Sequence, residues 1–203
     1  MKKYELTEET VIVSGKTLYR IRAVRDFGSV KAGDLGGYIE KEENLSHCGE
    51  AWVSDNAMVC GYAEVCGYAE VSDDAVVSGD AVVSGNARVC GEAWVCDNAE
   101  VYGNAKVSGN AKVSGKACVC GDAEVSDTRH FFVQGPIGSR DGFVTFYRTK
   151  NNTVGVRCGC FSGSLQEFVD RVEDTHGGSR YEKEYKLAAE LAKVCIRLEG
   201  ESR

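Results

Sequence analysis

The sequence predicts a mainly β fold wound from one short repeat, followed by a small α+β unit. Three observations carry that expectation. Every sixth residue from Val53 to Val125 is Val, thirteen times without a miss. The fourth residue after each Val is Ala in all twelve complete hexads, Ala57 to Ala123. Past Asp127 the repeat stops and longer apolar alternations give way to helical spacing. Within a hexad, alternation sends Val and Ala to one side, and pairs such as Asp55-Asn56, Gly85-Asn86 and Gly103-Asn104 mark a turn between them.

A six-residue period with an inward aliphatic and an inward small residue resembles the hexapeptide-repeat family, whose fold is the left-handed parallel β-helix. The resemblance implies three hexads, about 18 residues, per triangular coil, with coils stacked at about 4.8 Å. The left-handed winding comes from the resemblance alone, because parallel crossovers are otherwise right-handed. Pushing the register back places Leu35, Ile39, Leu45 and Ala51 inward, with Lys41 and His47 breaking it, for about five coils. Upstream, "ETVIVSGKTLYRIRAV" alternates like two strands about Ser14-Gly15-Lys16, which would cover the first open rung. The expected organisation is an N-terminal β cap over 1–34, the left-handed β-helix over 35–127 and a C-terminal α+β ligand-binding domain over 128–203.

The C-terminal segment reads as β-β-β-α-α. "HFFVQGPIG", "GFVTFYRTK" and "NTVGVRCGCF" form the strands, with Val154, Val156, Cys158 and Cys160 facing the helices and Arg157 and Phe161 opposite. Ser164 with Glu167 forms a capping box that opens the first helix, and Gly177-Gly178 closes it. The second helix buries Tyr181, Tyr185, Ala188, Leu191 and Cys195.

Composition narrows the function classes. With 203 residues at 43% apolar content the chain can bury a core. No apolar run approaches the roughly 18 residues of a membrane span, and "MKKYELTEET" lacks the apolar stretch of a signal peptide, so a cytoplasmic protein is expected. Most of the ten cysteines replace Ser at one repeat position, which reads as reduced, packable residues rather than a disulfide framework. Cys118-Val119-Cys120 and Cys158-Gly159-Cys160 supply two sulfurs each, short of a zinc set, so neither metal nor cofactor is expected. The net charge of −7 resides in the repeat, where four basic residues meet eleven acidic ones over 53–124. Nucleic acid is not an expected partner, and mimicry of nucleic acid by the acidic shaft is disfavoured because Arg88, Lys106 and Lys112 interrupt its columns and the acids spread over all three sides.

The electropositive region lies at 128–160, where Arg129, Arg140, Arg148, Lys150 and Arg157 face only Asp141. Within it "GPIGSRDG" holds the one proline and three glycines around Ser139-Arg140. Such a loop suits anionic oxygens through converging N–H groups, or is a plain hairpin with a solvated Arg. Candidate ligand-binding residues are Gly138, Ser139, Arg140, Arg148, Lys150 and Arg157. Phe132, Phe146 and Tyr147 offer stacking faces or a sheet core. On the shaft, Met58, Val76 and Trp94 stand 18 apart as an outward apolar column, either an oligomer interface or a seat for the C-terminal segment.

The stretch "AVRDFGSVKAGDLGGYIEKEENLS" and the hexads after it resemble poorly characterised bacterial and phage β-helix proteins of the transferase-like type. "GPIGSR", "CGCFSGSLQEF" and "THG" resemble a small domain of phage and prophage proteins. The resemblance implies a homotrimer and a phage or mobile-element origin. It supplies no catalytic residues. The expectation is a non-enzymatic binder of an anionic small molecule, such as a nucleotide signal of host defence. The alternatives are an acyl-CoA-dependent acyltransferase, which that family includes and which uses a histidine base, and a binder of a host protein. Of His47, His130 and His176, none falls in the clean repeat.

Overall fold

The computed structural model describes residues 2–200. Thirteen two-residue strands, β4 to β16, follow one another at six-residue intervals and stack as the faces of a parallel β-helix. One face holds β4 (Trp52–Val53), β7 (Glu70–Val71), β10 (Arg88–Val89), β13 (Lys106–Val107) and β16 (Glu124–Val125). A second holds β6 (Glu64–Val65), β9 (Val82–Val83), β12 (Glu100–Val101) and β15 (Cys118–Val119), begun by a bridge from Leu45 to Val65. The third runs from β3 (Leu35–Ile39) through β5 (Met58–Val59), β8 (Val76–Val77) and β11 (Trp94–Val95) to β14 (Lys112–Val113). Five rungs per face give five coils.

The repeat dictates this geometry residue by residue. Every Val and Ala of the hexads is buried in a single core, each Val stacked on the Val 18 residues away. Two residues past each Val from Val53 to Val119 the chain takes a positive φ, and the sequence puts only Gly or Asp there. At Gly85 a Cβ would come within 2.9 Å of the Gly103 nitrogen in the next coil. The tolerated Asp73 and Asp97 instead use their carboxylates, which accept the N–H of Gly91 and Gly115 one coil on (2.8 and 2.9 Å).

Both ends of the stack are closed by side chains that satisfy open backbone groups. At the N-terminal end, β1 (Tyr4–Val13) and β2 (Lys16–Ala23) form the expected hairpin, and β2 pairs antiparallel with β3, covering the first rung of the third face. The plug is Lys3 and Tyr4. The buried Lys3 ammonium donates to the Ala51 carbonyl (2.7 Å), and the Tyr4 hydroxyl reaches the carbonyls of Glu42 and Leu45. The irregular first coil turns at Glu42–Asn44, where the buried Asn44 amide donates to the carbonyls of Gly61 and Ala63. Ile39, Leu45 and Ala51 point inward as the register predicts, whereas Leu35 is 52% exposed. It lies at the outer edge opposite Arg22, and the inward space beside it belongs to Gly36 and Gly37, where a Cβ would meet Ile21, Trp52 and the Val53 and Ala57 carbonyls.

The C-terminal unit sits on the last coil. Its antiparallel sheet runs β17 (Phe131–Ile137), β18 (Gly142–Arg148), β19 (Val154–Cys158) and β20 (Phe161–Ser164), followed by α1 (Leu165–His176) and α2 (Arg180–Cys195). The fourth strand arises because a turn at Gly159-Cys160 reverses the chain. Cys160 is therefore exposed rather than inward, and Phe161 comes back facing the helices, its ring 5.6 Å from that of Phe168. Val144, Phe146 and Val156 also face the helices, while Tyr147 joins the shaft core. The capping box at Ser164 and Glu167 forms as its sequence requires. In α2 the buried residues are Ala188, Ala189 and Ala192, and Leu191 is exposed. Small side chains line this face because α2 packs against both β17 and α1.

Candidate functional site: a cationic aromatic cavity in the C-terminal unit

The turn Gly138–Asp141 joins β17 to β18 and leans on α2. Gly138 has φ +76°, and its N–H donates to the Glu184 carboxylate (2.8 Å), so this donor already holds an anionic oxygen of the chain itself. Beside it Ser139 and Arg140 form the rim of a cavity of about 590 Å³. Phe143 and Phe161 contribute from the sheet, Phe168, Arg171 and His176 from α1, and Tyr185 from α2. The aromatic wall is continuous: Phe168 meets Tyr185 edge-on at 5.8 Å, and His176 lies 5.6 Å from Tyr185. Burial pushes the Tyr185 hydroxyl up, while the Arg140 charge acts in the opposite sense. Among the described residues neither Arg140 nor Arg171 pairs with an acid, although Arg180 and Lys186 on the neighbouring helix do. Two uncommitted guanidinium groups and a set of ring faces thus converge on one opening, a combination that suits a flat ligand carrying negative charge.

The other three sequence candidates lie elsewhere. Arg148 is 6% exposed and joins the unit to the shaft, donating to the Glu124 carbonyl (3.2 Å), the Ser126 hydroxyl (3.3 Å) and the Glu199 carboxylate (3.1 Å). Lys150 pairs with Asp122 at 2.9 Å. Arg157 faces the last coil, its guanidinium 5.9 Å from the centre of the Tyr102 ring. These cations anchor a basic unit to an acidic shaft. Phe132 and Phe146 pack in the helix-facing core and Tyr147 in the shaft core, so none offers a free stacking face.

Sequence reasoning missed Arg171, His176 and Tyr185. The signal was present in α1, where Phe168, Arg171, Val172, Thr175 and His176 follow the spacing of one helix face and all line the cavity. Of the other histidines, His47 stacks on Tyr4 at 4.4 Å and accepts the Lys3 N–H. His130 is buried against Ser126, where burial and then the Arg148 charge lower its pKa. A second groove of about 500 Å³ lies against the first coils, but Asp34, Glu50 and Glu70 outnumber Arg88 there, which disfavours an anion. No helix of the described residues is long and apolar enough to cross a membrane.

Compared with known protein families and with curated proteins, the chain matches none.

Proposed function

We propose that the protein is a non-enzymatic binder in which the β-helix assembles as a homotrimer and each C-terminal unit captures a phosphate-bearing small molecule. A nucleotide signal of host defence is the ligand class this reading favours. The observation that carries it is the cavity, where Arg140 and Arg171, paired with no acid among the described residues, stand beside the rings of Phe143, Phe161 and Tyr185. Guanidinium groups bind phosphate oxygens bidentately, ring faces accept a base, and about 590 Å³ is room for a nucleotide. The phage or mobile-element setting rests on the resemblance of the N-terminal and C-terminal motifs.

Calorimetric titration of nucleotides, cyclic oligonucleotides and acetyl-CoA tests this reading. A nucleotide should bind without turnover, more weakly as salt rises. Arg140→Ala and Arg171→Ala should each weaken it by about 1.5–3 kcal/mol, roughly ten- to a hundredfold, with the fold intact. Acetyl-CoA binding indifferent to Arg140 would favour the acyltransferase. Silence from every phosphate compound would sink both and point to a host protein.

The assembly has its own test. Trp94 is 47% exposed on the shaft with the Lys112 ammonium over its ring at 5.5 Å, and Met58 and Val76 continue the column. Since the C-terminal unit seats on the end of the coil, Trp94 stays exposed among the described residues, with Met58 and Val76 partly so. Trp94→Glu should lower the sedimentation coefficient by dissociating the trimer. An unchanged oligomer would exclude the column as the interface.

A further inference from the structure

Five cysteines of the shaft, Cys60, Cys66, Cys90, Cys96 and Cys120, occupy the same place, directly after the inward Val of a hexad. Four of them are alone, and burial pushes their thiols up. The fifth has company. Cys118 precedes the inward Val119 in β15, so both sulfurs of Cys118-Val119-Cys120 stand on the outside of the last coil, under the C-terminal sheet. The Cys118 thiol donates toward the Tyr102 hydroxyl (3.5 Å). The Cys120 sulfur is 3.4 Å from the Tyr147 hydroxyl and 3.9 Å from that of Ser162. Arg157 lies over the Tyr102 ring from the facing strand, and the Thr145 hydroxyl fixes the Cys118 backbone N–H at 2.9 Å.

Hydroxyl groups flank both sulfurs, the Arg157 charge lies on the facing strand, and the Glu100 carboxylate stands 4.0 Å from the Cys118 sulfur. Cys120 is buried and Cys118 is partly exposed. Hydrogen bonding from Cys118, then from Tyr147, holds the Cys120 thiol below the ordinary range, while Cys118 itself is driven up, so one proton is shared on the pair.

We propose that Cys118 and Cys120 are a reversible oxidation site, converted by a hydroperoxide into an intramolecular disulfide. The Cys120 thiolate attacks the peroxide oxygen, the O–O bond breaks, hydroxide leaves and a sulfenic acid forms. The Cys118 thiol then attacks the Cys120 sulfur, the S–O bond breaks, and the departing hydroxide takes the Cys118 proton as water. Two sulfurs lose one electron each to the peroxide, and one S–S bond is made. The product withdraws both sulfurs from Tyr102 and Tyr147, so oxidation loosens the seam between shaft and C-terminal unit.

The experiment treats the native wild-type protein with hydrogen peroxide at neutral pH, followed by peptide mass mapping without reduction, and in parallel pulses it with iodoacetamide. The expected result is loss of two hydrogens from the peptide carrying both cysteines, restored by a thiol reductant. Alkylation at this pair should be at least about tenfold faster than at Cys60 or Cys90. Tyr102→Phe and Tyr147→Phe, which keep the rings, should slow both reactions, and Cys118→Ser should abolish the two-hydrogen loss. Alkylation no faster than at the four solitary cysteines, or oxidation confined to the exposed Cys48 and Cys160, would overturn the proposal.

Discussion

Val89→Asp should destabilise the protein by on the order of 4 kcal/mol, the range of a severe core lesion. Val89 is fully buried, with Val71 beneath it and Val107 above on the same face. All the neighbouring inward positions are Val or Ala, so the carboxylate meets no donor and must either ionise among methyl groups or stay protonated. The comparison Val89→Ala removes two methyls without adding a charge and should cost about 2 kcal/mol. Because coils contact only their neighbours, a defect in the middle of the stack divides the shaft into two shorter pieces, and the denaturation curve should broaden as well as shift. Protonation relieves the lesion, so the gap between Val89→Asp and wild type should narrow as pH falls through the raised pKa of the new carboxyl. A thermal midpoint within a degree or two of wild type would contradict the inward assignment of this column.

The shaft was legible in the sequence because each of its requirements is met at a fixed hexad position. Val and Ala fill the interior, and Gly or Asp takes the positive φ, so the same six residues specify core, turn and stacking at once. Legibility falls where one position no longer has one role. Leu35 continues the apolar register, yet the tight approach of Trp52 and Val53 to Gly36 and Gly37 moves it outward, and that approach leaves no mark in a periodicity. The α2 face was misread because a helix touching two elements buries Ala, not Leu, where the backbones come close. The basic stretch 128–160 misled in a different way. Nearness along the chain is not nearness in space when strands alternate. Arg148 ends on the Glu124 carbonyl and Ser126 hydroxyl of the shaft, Lys150 pairs with Asp122, Arg157 turns toward Tyr102, and Arg140 shares its cavity with Arg171 of a helix about thirty residues on.

Raising the pH should stabilise the wild-type protein relative to Lys3→Met, because Lys3 occupies a place where charge is unwelcome. Its side chain is fully buried against Phe27, with the ammonium 5.1 Å from the ring centre and a single strong acceptor in the Ala51 carbonyl. Burial, and then the Arg25 charge, pull its pKa from 10.5 down to about 8. Between those two values the unfolded chain holds a proton that the folded chain has released, so stability climbs with pH across that window. Below pH 8 the full cost of the buried charge is present, and above 10.5 it is gone. A displacement of this size corresponds to about 3 kcal/mol at full extent. Met matches the length of the buried stem but does not titrate. The difference in unfolding free energy, wild type minus Lys3→Met, should therefore rise by about 2–3 kcal/mol from about pH 7 to about pH 10 in urea titrations. The absolute gap at neutral pH also contains the Ala51 carbonyl, which Met leaves without its donor, but that contribution is the same at every pH. Thiols and tyrosines that titrate in the same window are common to both proteins and cancel. A difference that stays flat would mean the ammonium reaches water, and the first coil would then be closed by Tyr4 and Asn44 alone.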